Sequence, residues 1–191
     1  FKQVLVLGGG SNVLLRQNVD GLVIKIELRG MTIINETESI LDIECAAGEV
    51  WDEVVQRAVQ QNWCGIENLS LIPGSIGAAP VQNIGAYGVE IADFIESVTW
   101  FDFGKNKSVQ LTRNECQFGY RNSIFKQNLK NKGIITNVTL RFIKKWQAKL
   151  SYQGLNRLSE NCNALDIMNA VIELRNSKLP DPKIIPNAGS F

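Results

Sequence analysis

The chain has 191 residues, 45% hydrophobic and 20% charged, which is ordinary for a soluble globular protein and enough for a sizeable core in one or two domains. Its formal net charge of +1 offers no basic field for nucleic acid and no acidic tail, and no apolar run approaches the length that spans a bilayer. No secretory signal is read in it, Cys45, Cys64, Cys116 and Cys162 are scattered as reduced thiols of a cytoplasmic protein are, and the absence of histidine excludes a Ser-His or Cys-His nucleophile and argues against zinc.

In chain order, Val4-Leu5-Val6-Leu7 predicts a short buried strand, and Gly8-Gly9-Gly10-Ser11-Asn12 follows at once. A strand feeding a glycine turn is one way a fold presents backbone amides to a pyrophosphate. Two common fingerprints fail. Counting from Gly8, position 10 is Gly but position 13 is Val, so G-x-G-x-x-G is absent, and there is no G-K-[ST]. Leu22, Ile24 and Ile26 alternate as one strand, and Leu41, Ile43 and Cys45 as another. Residues 49–62 predict a helix. Val50, Trp51, Val54, Val55, Ala58 and Val59 form its packing stripe, with Glu49 and Glu53 complementing its N-terminus.

Residues 73–88 read Pro-Gly-Ser-Ile-Gly-Ala-Ala-Pro-Val-Gln-Asn-Ile-Gly-Ala-Tyr-Gly. Small side chains let backbone N–H groups approach another molecule, and a concave row of amides suits phosphate or a planar cofactor. The same composition also fits a tight loop between core elements. Two glycine loops on one chain favour a large phosphorylated cofactor held along its length. Beyond the loop, 95–103 predicts a strand, 104–107 a turn and 108–112 the return strand. Ile134, Thr136, Val138, Leu140 and Phe142 alternate in a further strand. A helix is predicted over 165–175, with Leu165, Met168, Val171 and Ile172 facing inward, ended by Pro180-Asp181-Pro182. Strands outnumber helices and hairpins are present, so the class is α+β.

Two polar residues stand out. Arg121, in Phe118-Gly119-Tyr120-Arg121-Asn122-Ser123-Ile124-Phe125-Lys126, reads first as a surface residue. Its guanidinium can equally bind a carboxylate or stabilise an enolate as charge develops. Ser190, in Asn187-Ala188-Gly189-Ser190, reads first as a turn residue.

Four segments taken together, residues 8–14, 67–90, 118–126 and 175–191, resemble the UDP-N-acetylenolpyruvoylglucosamine reductase family of bacterial cell-wall synthesis, in the family's order. The resemblance implies an FAD-binding fold of the vanillyl-alcohol-oxidase type, not a Rossmann fold. It implies an FAD module over 1–150, a helical extension over 151–179 and the start of a truncated substrate-binding domain over 180–191, with both termini missing. It implies non-covalent FAD against Gly8, Gly9, Gly10, Ser11, Asn12, Pro73, Gly74, Ser75, Gly77, Ala78, Gln82, Asn83, Gly85, Ala86 and Tyr87. It implies two half-reactions, NADPH reducing the flavin and the flavin then reducing an enolpyruvyl UDP-sugar, in peptidoglycan precursor synthesis. Arg121 and Ser190 take the catalytic positions, Ser190 as proton donor, while the family's C-terminal glutamate lies beyond Phe191. Lys178 and Tyr152 take positions that contact the sugar nucleotide, although Tyr152 fits a core-edge aromatic as well. Another FAD oxidoreductase of the same fold, or a non-catalytic nucleotide-binding module, are the alternatives. A yellow preparation separates the last from the other two.

Overall fold

The computed structural model describes residues 3–180 and 184–185. Strand β1 (Val4–Leu7) pairs in parallel with β2 (Leu22–Lys25), Val4 opposite Leu22. Parallel strands need a crossover connection, and residues 8–21 supply it as an open loop rather than a helix. The remaining strands are β3 (Met31–Glu36), β4 (Ile40–Ala46), the two-residue pair β5 (Gly85–Ala86) and β6 (Val89–Glu90), β7 (Ile95–Asp102), β8 (Lys107–Thr112) and β9 (Gly133–Ile143). An antiparallel sheet runs β3-β4-β9-β7-β8. Its register sets Ile43 opposite Leu140 and Cys45 opposite Val138, while Val138 also faces Val98. One face of the sheet is thereby apolar throughout.

Helix α1 (Trp51–Gln60) covers that face with Trp51, Val54, Val55, Ala58 and Val59, all buried. The Trp51 indole N–H donates to Leu69 O at 2.8 Å, which satisfies the polar atom that burial would otherwise strand. The helix starts two residues later than the sequence predicts. Val50 is extended (φ −70°, ψ 124°) and bridges Ser75, and the Glu49 carboxylate accepts from Gly30 N–H at 2.6 Å. Glu49 therefore braces a loop, and Asp52 and Glu53 occupy the first turn.

Helix α2 (Ala164–Lys178) carries a second, smaller core. Asn163 and Asp166 close a capping box at its start. The inward face is rotated from the one predicted: Val171 is buried as expected, but Leu165 is 50% exposed and Met168 and Ile172 are only half-buried, while Ala164, Ile167 and Ala170 are buried with Leu155. The apolar spacing admits both settings, and packing against Leu155 decides between them. The helix also runs to Lys178 and stops where Leu179, ahead of Pro180, turns extended. Strand β3 is missing from the sequence expectation. It is an edge strand exposed along most of its length and bulged between Ile33 and Asn35, so it shows no alternation to read.

All four cysteines are free. Burial pushes the Cys45 and Cys116 thiols up to about 12, so neither is a thiolate near neutral pH. Across β4 and β9, Arg141 donates to both oxygens of buried Asp42, at 2.7 and 2.8 Å. These bonds hold the Asp42 carboxyl below its ordinary range. A carboxylate depressed by folding adds stability above its unfolded value, near 3.9, and loses it as pH falls through the folded one. Arg141→Ala leaves that charge buried with only Asn35 Nδ2 bonded to it. Because Arg141 is itself partly exposed, the loss is expected to be about 2 kcal/mol at neutral pH, below the fully buried case. Urea unfolding checks this, and the gap to wild type should narrow below about pH 4 as Asp42 protonates.

Candidate functional site

The loop between α1 and β7 holds its shape through the backbone. Leu71, Gly74, Asn83, Tyr87 and Gly88 all have positive φ. Tyr87 and Gly88 do so consecutively between β5 and β6, the conformation that matches hairpin twist. The loop is stitched to the fold by Trp51 N–H to Gly74 O (3.0 Å), Ile76 N–H to Glu49 O (2.9 Å) and Gly77 N–H to Ala47 O (2.8 Å). At Gly77 a Cβ would stand 2.6 Å from Ala47 Cβ, so only glycine fits.

The two glycine loops meet. A Cβ on Gly9 would lie 3.7 Å from Gly74 Cα, and Asn12 Nδ2 donates to Gln82 Oε1 at 3.3 Å. Among the described residues, the backbone N–H groups of Gly9, Gly10, Ser11, Gly74 and Ser75 have no acceptor. These amides are the donors a pyrophosphate requires.

Cavities lie on either side of this meeting point. The smaller, about 280 Å³, opens between the β1–β2 pair and the main sheet. Leu5, Val6, Gly8, Ser75, Gly77, Ala78, Trp100 and Phe125 line it, together with Lys126 and Lys130. Trp100 contributes to its lining, while the indole Nε1 itself is fully buried with no hydrogen-bond partner among the described residues. The larger cavity, about 910 Å³, is bounded by β5, β6, the turn carrying Arg121, and α2. Gln82, Gly85, Ala86, Tyr87, Arg121, Tyr152 and Lys178 line it.

Arg121 sits in a tight turn closed by Gly119 and Asn122, with φ +51°. Its Nη2 donates to Gly85 O at 2.6 Å and its Nη1 to Asn83 O at 3.4 Å. Lys126 Nζ caps the Arg121 carbonyl at 3.0 Å, and the Tyr120 ring, 83% exposed, stacks on the guanidinium at 5.4 Å. On the opposite wall, Lys178 Nζ lies 5.9 Å from the Tyr152 ring centre, and Tyr152 meets Tyr87 edge-on at 4.9 Å. Burial raises the Tyr87 hydroxyl, and nearby Arg175 partly offsets that. Arg121, Arg175 and Lys178 line the cavity with a single carboxylate, Glu90, a balance that suits an anionic ligand.

Most of the sequence-predicted residues thus fall into three groups. Gly8, Ser75, Gly77 and Ala78 line the small cavity, and Gln82, Gly85, Ala86, Tyr87, Arg121, Tyr152 and Lys178 the large one. Gly9, Gly10, Ser11, Asn12 and Gly74 make the junction, and Pro73 is exposed beside it. Asn83 is 1% exposed and spends its side chain inside the protein, so its part is to hold the loop. Ser190 lies outside the described residues. Sequence reading missed Glu90, Tyr120 and Arg175. Arg175 precedes Lys178 by one helical turn, a spacing that puts both on one face.

The pieces fit FAD: backbone amides without acceptors among the described residues, a largely apolar cavity and a cationic one. The comparisons agree. Residues 2–111 match the model of the FAD binding domain. A UDP-N-acetylenolpyruvoylglucosamine reductase of Dechloromonas aromatica is 45% identical over 97% of this chain and 58% of that protein, and one of Pseudoalteromonas translucida is 48% identical over 97% and 55%. The crystal structure of UDP-N-acetylenolpyruvylglucosamine reductase (MurB) from Thermus caldophilus superposes with a TM-score of 0.64 at 25% identity, covering 93% of this chain and 57% of that one. The chain spans somewhat more than half the length of these relatives. Its fold is the α+β FAD-binding fold of the vanillyl-alcohol-oxidase type, with a lone parallel pair beside an antiparallel sheet in place of a Rossmann sheet. The chain belongs to the FAD binding domain family, and within it resembles the UDP-N-acetylenolpyruvoylglucosamine reductases.

Proposed function

We propose that this chain is the cofactor-holding part of an NADPH-dependent reductase that converts an enolpyruvyl UDP-sugar to UDP-N-acetylmuramate for peptidoglycan precursors in the bacterial cytoplasm. The observation that carries the reading is Arg121, held by two carbonyls of the glycine loop at the edge of a cationic cavity. Residues 1–150 form the FAD module, 151–179 a helical extension and 180–191 the start of a substrate-binding domain. The separate apolar cluster around Leu155 and α2 supports the extension.

FAD held here would supply the redox chemistry, hydride transfer from NADPH and on to the enolpyruvyl double bond. Gly9, Gly10, Ser11, Gly74 and Ser75 would hold its pyrophosphate through their free amides, and the Trp100 slot would take an apolar or ring portion. Arg121 has N–H donors left after its two carbonyl bonds, since a guanidinium carries five. Those remaining meet the charge that develops on the substrate carboxylate as the double bond is reduced. Ser190 delivers the proton to the adjacent carbon. Lys178 pairs with the diphosphate, and Tyr152 offers its hydroxyl to the same group. The Tyr87–Tyr152 contact fixes one wall of the cavity against the loop.

The test is the identity of the cofactor. The intact protein is denatured and the released flavin separated by chromatography. FAD in equal proportion to protein is expected. FMN, or no flavin after saturation with FAD, contradicts the reading.

A further inference from the structure

Glu90 lines the large cavity, yet the proposed chemistry gives it no task. Its Oε2 accepts from Asn83 Nδ2 at 2.8 Å. The other Asn83 amide contact reaches Gly119 O at 3.1 Å, in the turn that presents Arg121, and Asn83 Oδ1 accepts from Ala92 N–H at 3.1 Å. These bonds fix a buried side chain whose own backbone is left-handed, φ +45°. The Asn83 carbonyl then faces Arg121 Nη1. Glu90 also pairs across the β5–β6 ladder with Gly85, whose carbonyl accepts from Arg121 Nη2. A Cβ at Gly85 would lie 3.0 Å from both Arg121 Nη1 and Glu90 Cγ, so carboxylate stem and guanidinium close on the same glycine from two sides.

We infer that Glu90 is a positioning residue for Arg121. Through Asn83 its carboxylate sets the Asn83 carbonyl, while the β5–β6 backbone ladder holds Gly85, and together these two carbonyls aim the guanidinium into the cavity. The inference rests on the role proposed for Arg121. What Glu90 supplies is an acceptor at a fixed place: without it Asn83 loses one of two acceptors, and the carbonyl at 83 is free to shift. Arg121 keeps its charge but loses its aim, and displacement of about 1 Å can cost on the order of 10²-fold in rate. Glutamine retains an acceptor at the same reach; alanine does not.

The experiment compares Glu90→Ala, Glu90→Gln and Arg121→Ala in the intact, FAD-loaded protein. Rapid mixing follows reduction by NADPH and reoxidation by the enolpyruvyl UDP-sugar separately, calorimetry gives the affinity for UDP, and NMR of ¹⁵N-arginine-labelled protein reports the Arg121 Nε–H. Glu90→Ala is expected to slow reoxidation about 10–100-fold while reduction by NADPH and flavin content stay at wild-type levels; Glu90→Gln, which removes the same charge, controls for any change in UDP affinity. Its Arg121 resonance should move or broaden, and Glu90→Gln should restore both rate and resonance. Normal reoxidation in Glu90→Ala beside a slow Arg121→Ala overturns the inference alone; normal reoxidation in Arg121→Ala overturns the role of Arg121 beneath it. A glutamine variant as slow as alanine also overturns it, because charge rather than placement would then matter. Should Glu90→Ala fail to fold, Glu90→Asp withdraws the acceptor by one methylene, and normal reoxidation there counts against the inference.

Discussion

Gly9→Val is expected to lose most of its flavin and keep its fold. Gly9 is exposed, its φ does not demand glycine, and the nearest atom to an added Cβ is Gly74 Cα at 3.7 Å. The protein itself therefore accommodates a side chain there. A cofactor lying between the two loops does not, because the isopropyl group fills the space through which it reaches the amides of residues 9–11. Overpacking of this kind costs about 1–3 kcal/mol, which is roughly a 10–100-fold weaker association. Apoprotein fluorescence titrated with FAD gives the affinity, and thermal unfolding of the apoprotein controls for the fold. Unchanged affinity removes the first glycine loop from the cofactor site. Gly77→Val is the poorer test, since its Cβ collides with buried Ala47 and the fold suffers first.

Arg121→Ala is expected to act on one half-reaction. The guanidinium meets charge that appears only as the enolpyruvyl group is reduced, so flavin reduction by NADPH should be spared. Removing one preorganised donor to such charge typically costs about 10²–10³-fold. The local fold has reason to survive: Gly85 lines the cavity, where water can replace the lost donor, and Asn83 keeps its three side-chain hydrogen bonds. Rapid-mixing absorbance separates the two steps. Equal slowing of both would make Arg121 a cofactor or structural residue.

The glycine loops and Arg121 were legible in the sequence for different reasons. Glycine where a backbone must pass closely is a local requirement, and Gly77 against Ala47 shows it. Arg121 is chemically plain only once a family resemblance singles it out, since a lone arginine is otherwise surface. Strands with one buried face, β4 and β9, showed their alternation; β3, exposed at the edge, had none to show. The rotation of α2 was misread because two apolar stripes compete in its sequence and the choice depends on packing against Leu155, remote in the pattern. Glu90 and Arg175 escaped because their place in the cavity is a product of the β5–β6 turn and of that same rotation. The family resemblance implies a cofactor contact at Asn83, and its three internal hydrogen bonds appear only when Glu90, Ala92 and Gly119 are brought round it.

The most direct measurement is anaerobic reoxidation. The intact protein, saturated with FAD and reduced with one equivalent of NADPH, is mixed with the enolpyruvyl UDP-sugar in the absence of oxygen. The account predicts that the oxidised flavin spectrum returns at a rate on the order of 1–10³ s⁻¹, the usual range of enzyme turnover, with UDP-N-acetylmuramate formed in step with it. A flavin that NADPH reduces but the enolpyruvyl sugar leaves reduced would contradict the proposed substrate and, with it, the assignment of the cationic cavity.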